Sequence, residues 1–181
     1  MAKTLSEMTL EELWQLFPIV LTEHQPHWAQ WYAEEAASLQ PLLPSCTLHH
    51  IGSTAIPGIW AKPIVDILLE VPGPINMADL KPLLSGCGWI CMGGTGGRLS
   101  FNKGYTPQGF AERVFHLHAR QPGDRAEVYF RDYLCTHPEA AKEYEQLKLS
   151  LWKPFEHDRD GYTRAKAAFV EEIMAAAAQQ G

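Results

Sequence analysis

A glycine-serine pair and a later aspartate form the strongest chemical pattern in the sequence. Gly52 ends the β-prone run 47–51, and a glycine there lets backbone amides approach a ligand closely. A helical turn starting at Ser53 would direct free N–H groups and a hydroxyl towards an anion, most naturally a phosphate. The spacing to Asp66 allows one short connection and a return along a neighbouring strand. The pattern therefore predicts a metal-binding carboxylate beside a phosphate site.

A pair of histidines offers further metal-ligating and catalytic candidates. His116 and His118 are two residues apart on a predicted strand, so they project from one face at a separation of ~7 Å. If their strand lies next to that of Asp66, the three residues form a site for zinc or manganese, since imidazole suits transition metals better than magnesium. The alternatives are that the pair bonds to phosphate or backbone, or lies on a solvent-facing strand.

Several cations accompany these motifs. Lys62 stands just before the strand that carries Asp66, and Arg98 and Lys103 lie on a predicted hairpin. Arginine grips a phosphate with two parallel hydrogen bonds, while lysine supplies a point charge. We therefore predict that all three bind phosphate together with Gly52 and Ser53. For Lys62, a solvated or ion-paired role is the alternative.

Other polar residues have less specific interpretations. Four further polar residues fall on predicted helices, where an ion-pair network that joins the C-terminal helices to the sheet is favoured and a role in the site is the alternative. They are Arg131, Asp132, Tyr162 and Lys166. His50 precedes the glycine-serine turn, where it either orients Ser53 or a phosphate or packs against the backbone.

Hydrophobic periodicity and turn residues place these motifs on elements. Residues 9–12 read Thr-Leu-Glu-Glu, a capping box at a helix start. The run 64–71 is almost wholly apolar and bounded by prolines, as in a strand buried on both faces. The other predicted helices span about 26–43, 76–85, 125–135 and 161–178, and one more begins at Pro138. The other predicted strands lie near 89–92, 98–103 and 113–119. The order predicts one α/β (α+β) domain over 1–181, with a sheet-containing part at about 19–120 and a helical tail at about 123–178.

Composition narrows the class of protein. The chain has 181 residues, and 15 Lys+Arg against 21 Asp+Glu give a formal net charge of −6. This acidic balance argues against general binding of nucleic acid or anionic membranes, because no basic excess displaces counterions. The four cysteines have no zinc-knuckle spacing, and the N-terminus lacks the apolar core of a secretion signal. We expect reduced cysteines, no membrane span and a cytoplasmic protein.

The motifs also carry a family resemblance. The segments 50–58 (His-Ile-Gly-Ser-Thr-Ala-Ile-Pro-Gly) and 61–67 (Ala-Lys-Pro-Ile-Val-Asp-Ile) resemble the signature of the GrpB-like family of the nucleotidyltransferase fold superfamily. The resemblance extends from about Ile19 through most of the chain. The further matching segments are 98–104, 115–118, 130–134, 137–141, 144–148 and 162–169. It implies a small mixed β-sheet of nucleotidyltransferase type flanked by helices, followed by C-terminal helices.

One departure from the superfamily pattern bears on catalysis. That pattern places a second acid two residues after the first, and the carboxylates hold two divalent ions that orient a triphosphate. Asp66 matches the first acid, but Leu68 occupies the place of the second. Glu70 lies on the same strand face at ~13 Å from Asp66, too far to share a metal. Conventional two-metal catalysis is therefore in doubt.

The leading hypothesis is a protein that binds a nucleotide or another phosphorylated small molecule with a divalent metal, either magnesium or manganese, with zinc as an alternative. If catalytic, it would transfer a nucleoside monophosphate from a nucleoside triphosphate to a small acceptor. The first alternative is a non-catalytic ligand-binding or protein-interaction module that has lost the second acid. A metal-dependent hydrolase of phosphate esters is the other.

Overall fold

The computed structural model describes residues 1–180, in which six α-helices surround one five-stranded sheet. In chain order the elements are α1 Leu10–Leu16, α2 His27–Leu39, β1 Thr47–Ile51, β2 Val65–Glu70, α3 Leu80–Ser85, β3 Ile90–Gly93, β4 Leu99–Thr106, β5 Gly109–Arg120, α4 Ala126–Thr136, α5 Pro138–Trp152 and α6 Arg159–Gln179. Short 3-10 turns occur at Leu5–Glu7, Ser53–Ala55 and Met77–Asp79.

The sheet is mixed, with the strand order β1-β2-β5-β4-β3. β2 pairs in parallel with β5, and the other neighbours pair antiparallel. The parallel pair is central and β2 is nearly buried on both faces, which explains its almost continuous apolar sequence. The sheet is the small mixed type that the resemblance implies. Each β2 residue pairs with a β5 residue 50 positions further along the chain.

The two faces of the sheet are covered by different helices. One face packs against α2 and α3 through the main hydrophobic core, which includes Trp28, Leu84 and Phe101. The opposite face carries Asp66 and lies under the C-terminal helices. There Leu68 packs against Val128 of α4, and the loop after β1 packs into a second core formed by α4, α5 and α6. The helical tail thus covers the face on which the candidate site lies.

Most predicted elements occur, with shifted bounds. The capping box is present, because Glu12 N–H donates to Thr9 Oγ1 at 3.2 Å and Thr9 N–H to Glu12 Oε2 at 2.8 Å. The helix predicted from position 76 begins instead as a 3-10 turn capped by Asn76, and β5 starts four residues before the predicted strand. All four cysteines are free thiols. Across residues 1–180, none of the helices combines the length and apolar character needed to span a membrane.

Candidate phosphate and metal site

Asp66 and two histidines lie side by side on neighbouring strands. The parallel register pairs Asp66 with His116 and Leu68 with His118, so both imidazoles lie on the Asp66 face. Asp66 Oδ1 is 3.3 Å from His118 Nε2 and 3.5 Å from His116 Nδ1. One ligand atom of each residue lies within 4.8 Å of the other two. This spacing is short enough for the three groups to share one metal ion.

Tyr105 contacts Nε2 of His116, the ring nitrogen that does not face Asp66. The Tyr105 hydroxyl is 2.6 Å from His116 Nε2, and Arg159 Nη1 donates to the same hydroxyl oxygen at 3.2 Å. Tyr105 reaches this position because β4 bulges at Gly104, which has a φ of +96° and lies too close to the β5 backbone for any side chain. The contact leaves His116 Nδ1 directed at Asp66, as outer hydrogen bonds do for metal-ligating imidazoles.

The surroundings of Asp66 and His116 favour the protonation states that bind metal ions. Burial by itself raises the pKa of Asp66, but contacts with His116 and His118 outweigh it and hold that pKa well below its usual range. Burial lowers the pKa of His116 despite the nearby carboxylate. Ionised carboxylates and neutral imidazoles are the metal-binding forms, so the donor set fits a divalent ion at neutral pH.

No second carboxylate replaces the acid missing at position 68 within the described chain around the pocket. Leu68 is fully buried beneath α4. Glu70 accepts a hydrogen bond from His49 at 2.6 Å and pairs with Arg125 at 3.0 Å, so it is engaged elsewhere. His118 is register-paired with Leu68 and so lies beside the position of the second acid. The arrangement therefore suits one ion rather than two.

The glycine-serine turn lies directly against Asp66. Gly52 has a φ of +74° and a ψ of −174°, and a Cβ there would lie 2.5 Å from Asp66 Oδ2. The turn after it starts at Ser53, as the sequence predicts. It is a single 3-10 turn, in which the Gly52 and Ser53 carbonyls accept from the Ala55 and Ile56 amides. Ser53 lines the pocket, where its hydroxyl is available to a ligand.

Three lysines converge on this turn from different elements. Lys148 of α5 donates from Nζ to Ser53 Oγ at 2.9 Å and to the Trp60 carbonyl at 2.6 Å. Lys166 of α6 and Lys62 lie over the Tyr162 ring at 4.3 Å and 5.5 Å from its centre. Together they enclose a polar pocket of about 120 Å³. The residues lining it are Gly52, Ser53, Lys62, Ile64, Asp66, His116, Tyr144, Lys148, Tyr162 and Lys166.

The positive charge of these lysines is largely uncompensated. None of the three forms an ion pair within residues 1–180, and Asp66 is the one acidic side chain among the pocket-lining residues described. Burial, followed by repulsion from neighbouring cations, lowers the pKa of Lys62 and Lys148 to about 7. Burial likewise lowers the pKa of Lys166 to about 8. An anion in the pocket would relieve this repulsion.

The lowered lysine pKa values predict that the ligand-free protein becomes more stable between pH 7 and about pH 9.5. In this interval the unfolded lysines keep their protons while the folded ones lose theirs, so the unfolded state binds more protons and stability rises with pH. Urea unfolding of metal-free protein in phosphate-free buffers would measure the rise. A flat or falling stability over this interval would show that the lysines are not buried as charged groups.

The two predicted hairpin cations do not reach the pocket. Arg98 makes two hydrogen bonds to Asp124, at 2.8 Å each. Lys103 lies on the opposite face of the sheet, where it pairs with Glu35 at 2.8 Å and contacts the Trp89 ring. The structure therefore does not bring Arg98 and Lys103 to the lysine pocket, because strand alternation and ion pairing direct both side chains away.

The predicted network in the helical tail is only partly present. Arg131 pairs with Asp132 at 2.6 Å and donates to the His50 carbonyl at 2.8 Å, which joins tail and sheet. Lys166 instead faces the pocket, so assigning it to this network was wrong. His50 bonds through Nε2 to Thr54 Oγ1 at 2.9 Å and stacks on the Tyr32 ring, so its imidazole is directed at Thr54 rather than at the Ser53 hydroxyl.

Sequence reasoning did not assign Lys148, Tyr105 or Arg159 to the site. One signal was present: Tyr144 and Lys148, and again Tyr162 and Lys166, have the spacing that places each lysine beside a tyrosine on one helix face. In both helices the ammonium lies over the ring of that tyrosine.

Comparison with known proteins identifies close relatives. The family model described as "GrpB protein" matches residues 18–176. A UPF0157 protein of Pseudomonas aeruginosa is 38% identical over 156 residues, which cover 82% of this chain and 63% of that protein. The UPF0157 protein YqkA of Bacillus subtilis is 31% identical over 90% of this chain. This chain spans 63% and 49% of the lengths of these two relatives.

Solved structures show the same architecture. The conserved GrpB protein from Enterococcus faecalis superposes with a TM-score of 0.78 at 31% identity, covering 89% of this chain and 98% of that one. The Cid1 poly(U) polymerase bound to MgATP superposes with a TM-score of 0.51 at 9% identity, covering 70% of this chain and 45% of that one. The second likeness shows a shared nucleotidyltransferase-type fold and nothing about activity.

Proposed function

The chain belongs to the GrpB family, and from this premise we propose that it binds the phosphate groups of a nucleotide or another phosphorylated small molecule together with one divalent metal ion. The observation that carries the proposal is a small polar pocket lined by Asp66 and His116, the Ser53 hydroxyl and three lysines that form no ion pair within residues 1–180. His118 completes the possible metal-binding cluster beside it. Uncompensated cations beside metal-binding groups are what a metal-phosphate complex requires.

The donor set indicates which ions fit. Two imidazoles and one carboxylate suit manganese or zinc better than magnesium, which prefers oxygen ligands. Asp66, His116 and His118 would hold the ion, and Tyr105 would keep the His116 ring in place. When bound, such an ion supplies positive charge that polarises a phosphoryl oxygen.

The reaction that best fits this fold and pocket is transfer of a nucleoside monophosphate to a small acceptor. A bond forms between the acceptor atom and the α-phosphorus, the bond from that phosphorus to pyrophosphate breaks, and the acceptor proton is released. Lys62, Lys148 and Lys166 would neutralise the charge that collects on the pyrophosphate, while Ser53 would position it.

Thermal unfolding with a panel of nucleotides and Mg²⁺, Mn²⁺ or Zn²⁺ tests the proposal. A ligand at 100 times its dissociation constant stabilises by about 2.7 kcal/mol, which for this size raises the melting temperature by roughly 5–11 °C. The shift should require metal and disappear in Asp66→Ala. Asp79→Ala is the matched control, because Asp79 is exposed and does not line the pocket. Absence of any shift in folded wild-type protein would contradict the proposal.

The lack of a second carboxylate supports one further candidate, a non-catalytic binding module. In that case nucleotide and metal would stabilise the protein as above, but labelled nucleoside triphosphate would remain intact during incubation with acceptors. Release of pyrophosphate would favour the transferase, and release of orthophosphate from phosphate esters without an acceptor would favour a hydrolase.

A further inference from the structure

An apolar groove lies beside the candidate site on the same face of the sheet. One row of register-paired residues crosses four strands, from Asp66 through His116 and Asn102 to Ile90. Neighbouring strands are ~4.8 Å apart, so Asn102 lies one strand from His116 and Ile90 lies at the edge. The groove begins at Asn102 and extends outwards over β3, with a volume of about 440 Å³. That volume is typical of a small-molecule pocket.

The outer wall of the groove comes from the N-terminal segment. α1 and the residue after it contribute Leu10, Leu13, Trp14 and Phe17, which face Ile90 and Met92 of β3 across the groove. Leu10, Ile90 and Met92 are 56%, 46% and 59% exposed. This wall lies outside residues 18–176, the range that the family model matches. The groove is thus built partly by a segment that the family model does not include.

The inner end of the groove is polar and touches the site. Tyr105 lines the groove, and its hydroxyl bonds to His116, which lines the lysine pocket. Arg159 also lines the groove. Its Nη1 donates to Tyr105, while its Nε has no hydrogen-bond partner within residues 1–180. Asn102 adds an amide at the same end, and Asp160 lies nearby. A molecule in the groove therefore meets hydrogen-bonding groups where it approaches His116.

We infer that this groove is the acceptor subsite and that it takes a small apolar alcohol, with an aromatic or branched aliphatic body over β3 and its hydroxyl at Asn102 and Arg159. This inference rests on the proposed function, since it supplies the acceptor of that reaction. The hydroxyl oxygen would bond to the α-phosphorus of a nucleotide held by the lysines, with pyrophosphate as the leaving group and the hydroxyl proton released.

Fluorescence titration with 8-anilinonaphthalene-1-sulfonate, an anion with an apolar aromatic body, tests the groove. Met92→Glu puts a charge on the apolar wall and should weaken probe binding at least about tenfold. Leu42→Glu is the matched control, because Leu42 is 45% exposed and lies outside the groove; it should bind as wild type does. 4-Phenyl-1-butanol should displace the probe from wild type and from Leu42→Glu.

Several results would overturn the inference. They are failure of the wild type to bind the probe, equal probe affinity in Met92→Glu and Leu42→Glu, and failure of the alcohol to displace the probe. The nucleotide and metal titration of wild type reports separately on the proposed function. If that titration succeeds while the groove variant binds like the control, only the acceptor subsite is wrong. If the nucleotide and metal titration fails while the groove binds the alcohol, the groove has no acceptor role.

Discussion

Replacing Gly52 with alanine should lower the melting temperature by about 2–12 °C and abolish metal binding. Gly52 combines a φ of +74° with a ψ of −174°, a conformation in which other residues are strained by about 1–3 kcal/mol. For a chain of this length each kcal/mol changes the melting temperature by about 2–4 °C. The new Cβ would also lie 2.5 Å from Asp66 Oδ2, so the carboxylate would move away from His116 and His118. Differential scanning calorimetry and Mn²⁺ titration would measure the two effects.

Gly58→Ala separates backbone strain from displacement of the carboxylate. Gly58 has a φ of +79°, but nothing lies within 4 Å of a Cβ built there. It should therefore lose stability through strain alone and keep the metal affinity of wild type. If Gly52→Ala retained Mn²⁺ affinity equal to that of Gly58→Ala, the contact between Gly52 and Asp66 would have no role in shaping the site.

The strand that carries Asp66 could be predicted because its signal is local. An apolar run bounded by prolines indicates a buried strand whatever its neighbours. The spacing of His116 and His118 likewise places them on one face. The identity of the strand beside Asp66 could not be predicted in this way. The strand order β1-β2-β5-β4-β3 depends on how segments distant in sequence pack together. The sequence therefore predicted the cluster of Asp66, His116 and His118 only if their two strands are neighbours. In the fold they are, because β2 pairs with β5.

The positions of the two hairpin cations, away from the pocket, also have a physical reason. Lys103 alternates in phase with Phe101, which is 1% exposed in the core under α2 and α3, so strand alternation directs Lys103 to that face. Arg98 precedes β4 and is captured by Asp124, which follows β5. The prediction considered only how close the cations are to the motif in sequence. It did not consider which face of the strand each side chain lies on, or which carboxylates can pair with it. Lys148 and Lys166 were missed because α5 and α6, which bring them over the sheet, lie far along the chain from β2.

Replacing Lys166 with methionine should stabilise the ligand-free protein and weaken nucleotide binding at the same time. Lys166 has no ion pair within residues 1–180, and burial lowers its pKa to about 8. Methionine keeps the apolar stem over Tyr162 and removes a poorly solvated charge. We expect a rise of about 2–4 °C for each kcal/mol gained. A lost charged contact to phosphate costs about 1.5–3 kcal/mol, which is roughly a ten- to hundredfold loss of nucleotide affinity.

Replacing a ligand-binding lysine raises the melting temperature and lowers nucleotide affinity, and these opposite effects distinguish it from a structural lysine. A lysine that stabilised the fold through its charge would lower the melting temperature when replaced. A lysine irrelevant to both would change neither, as we expect for Lys81→Met, since Lys81 is exposed on α3. A lower melting temperature for Lys166→Met, or unchanged nucleotide affinity, would remove Lys166 from the site. The expected pair of results would mean that the fold retains a destabilising charge because a phosphate compensates it.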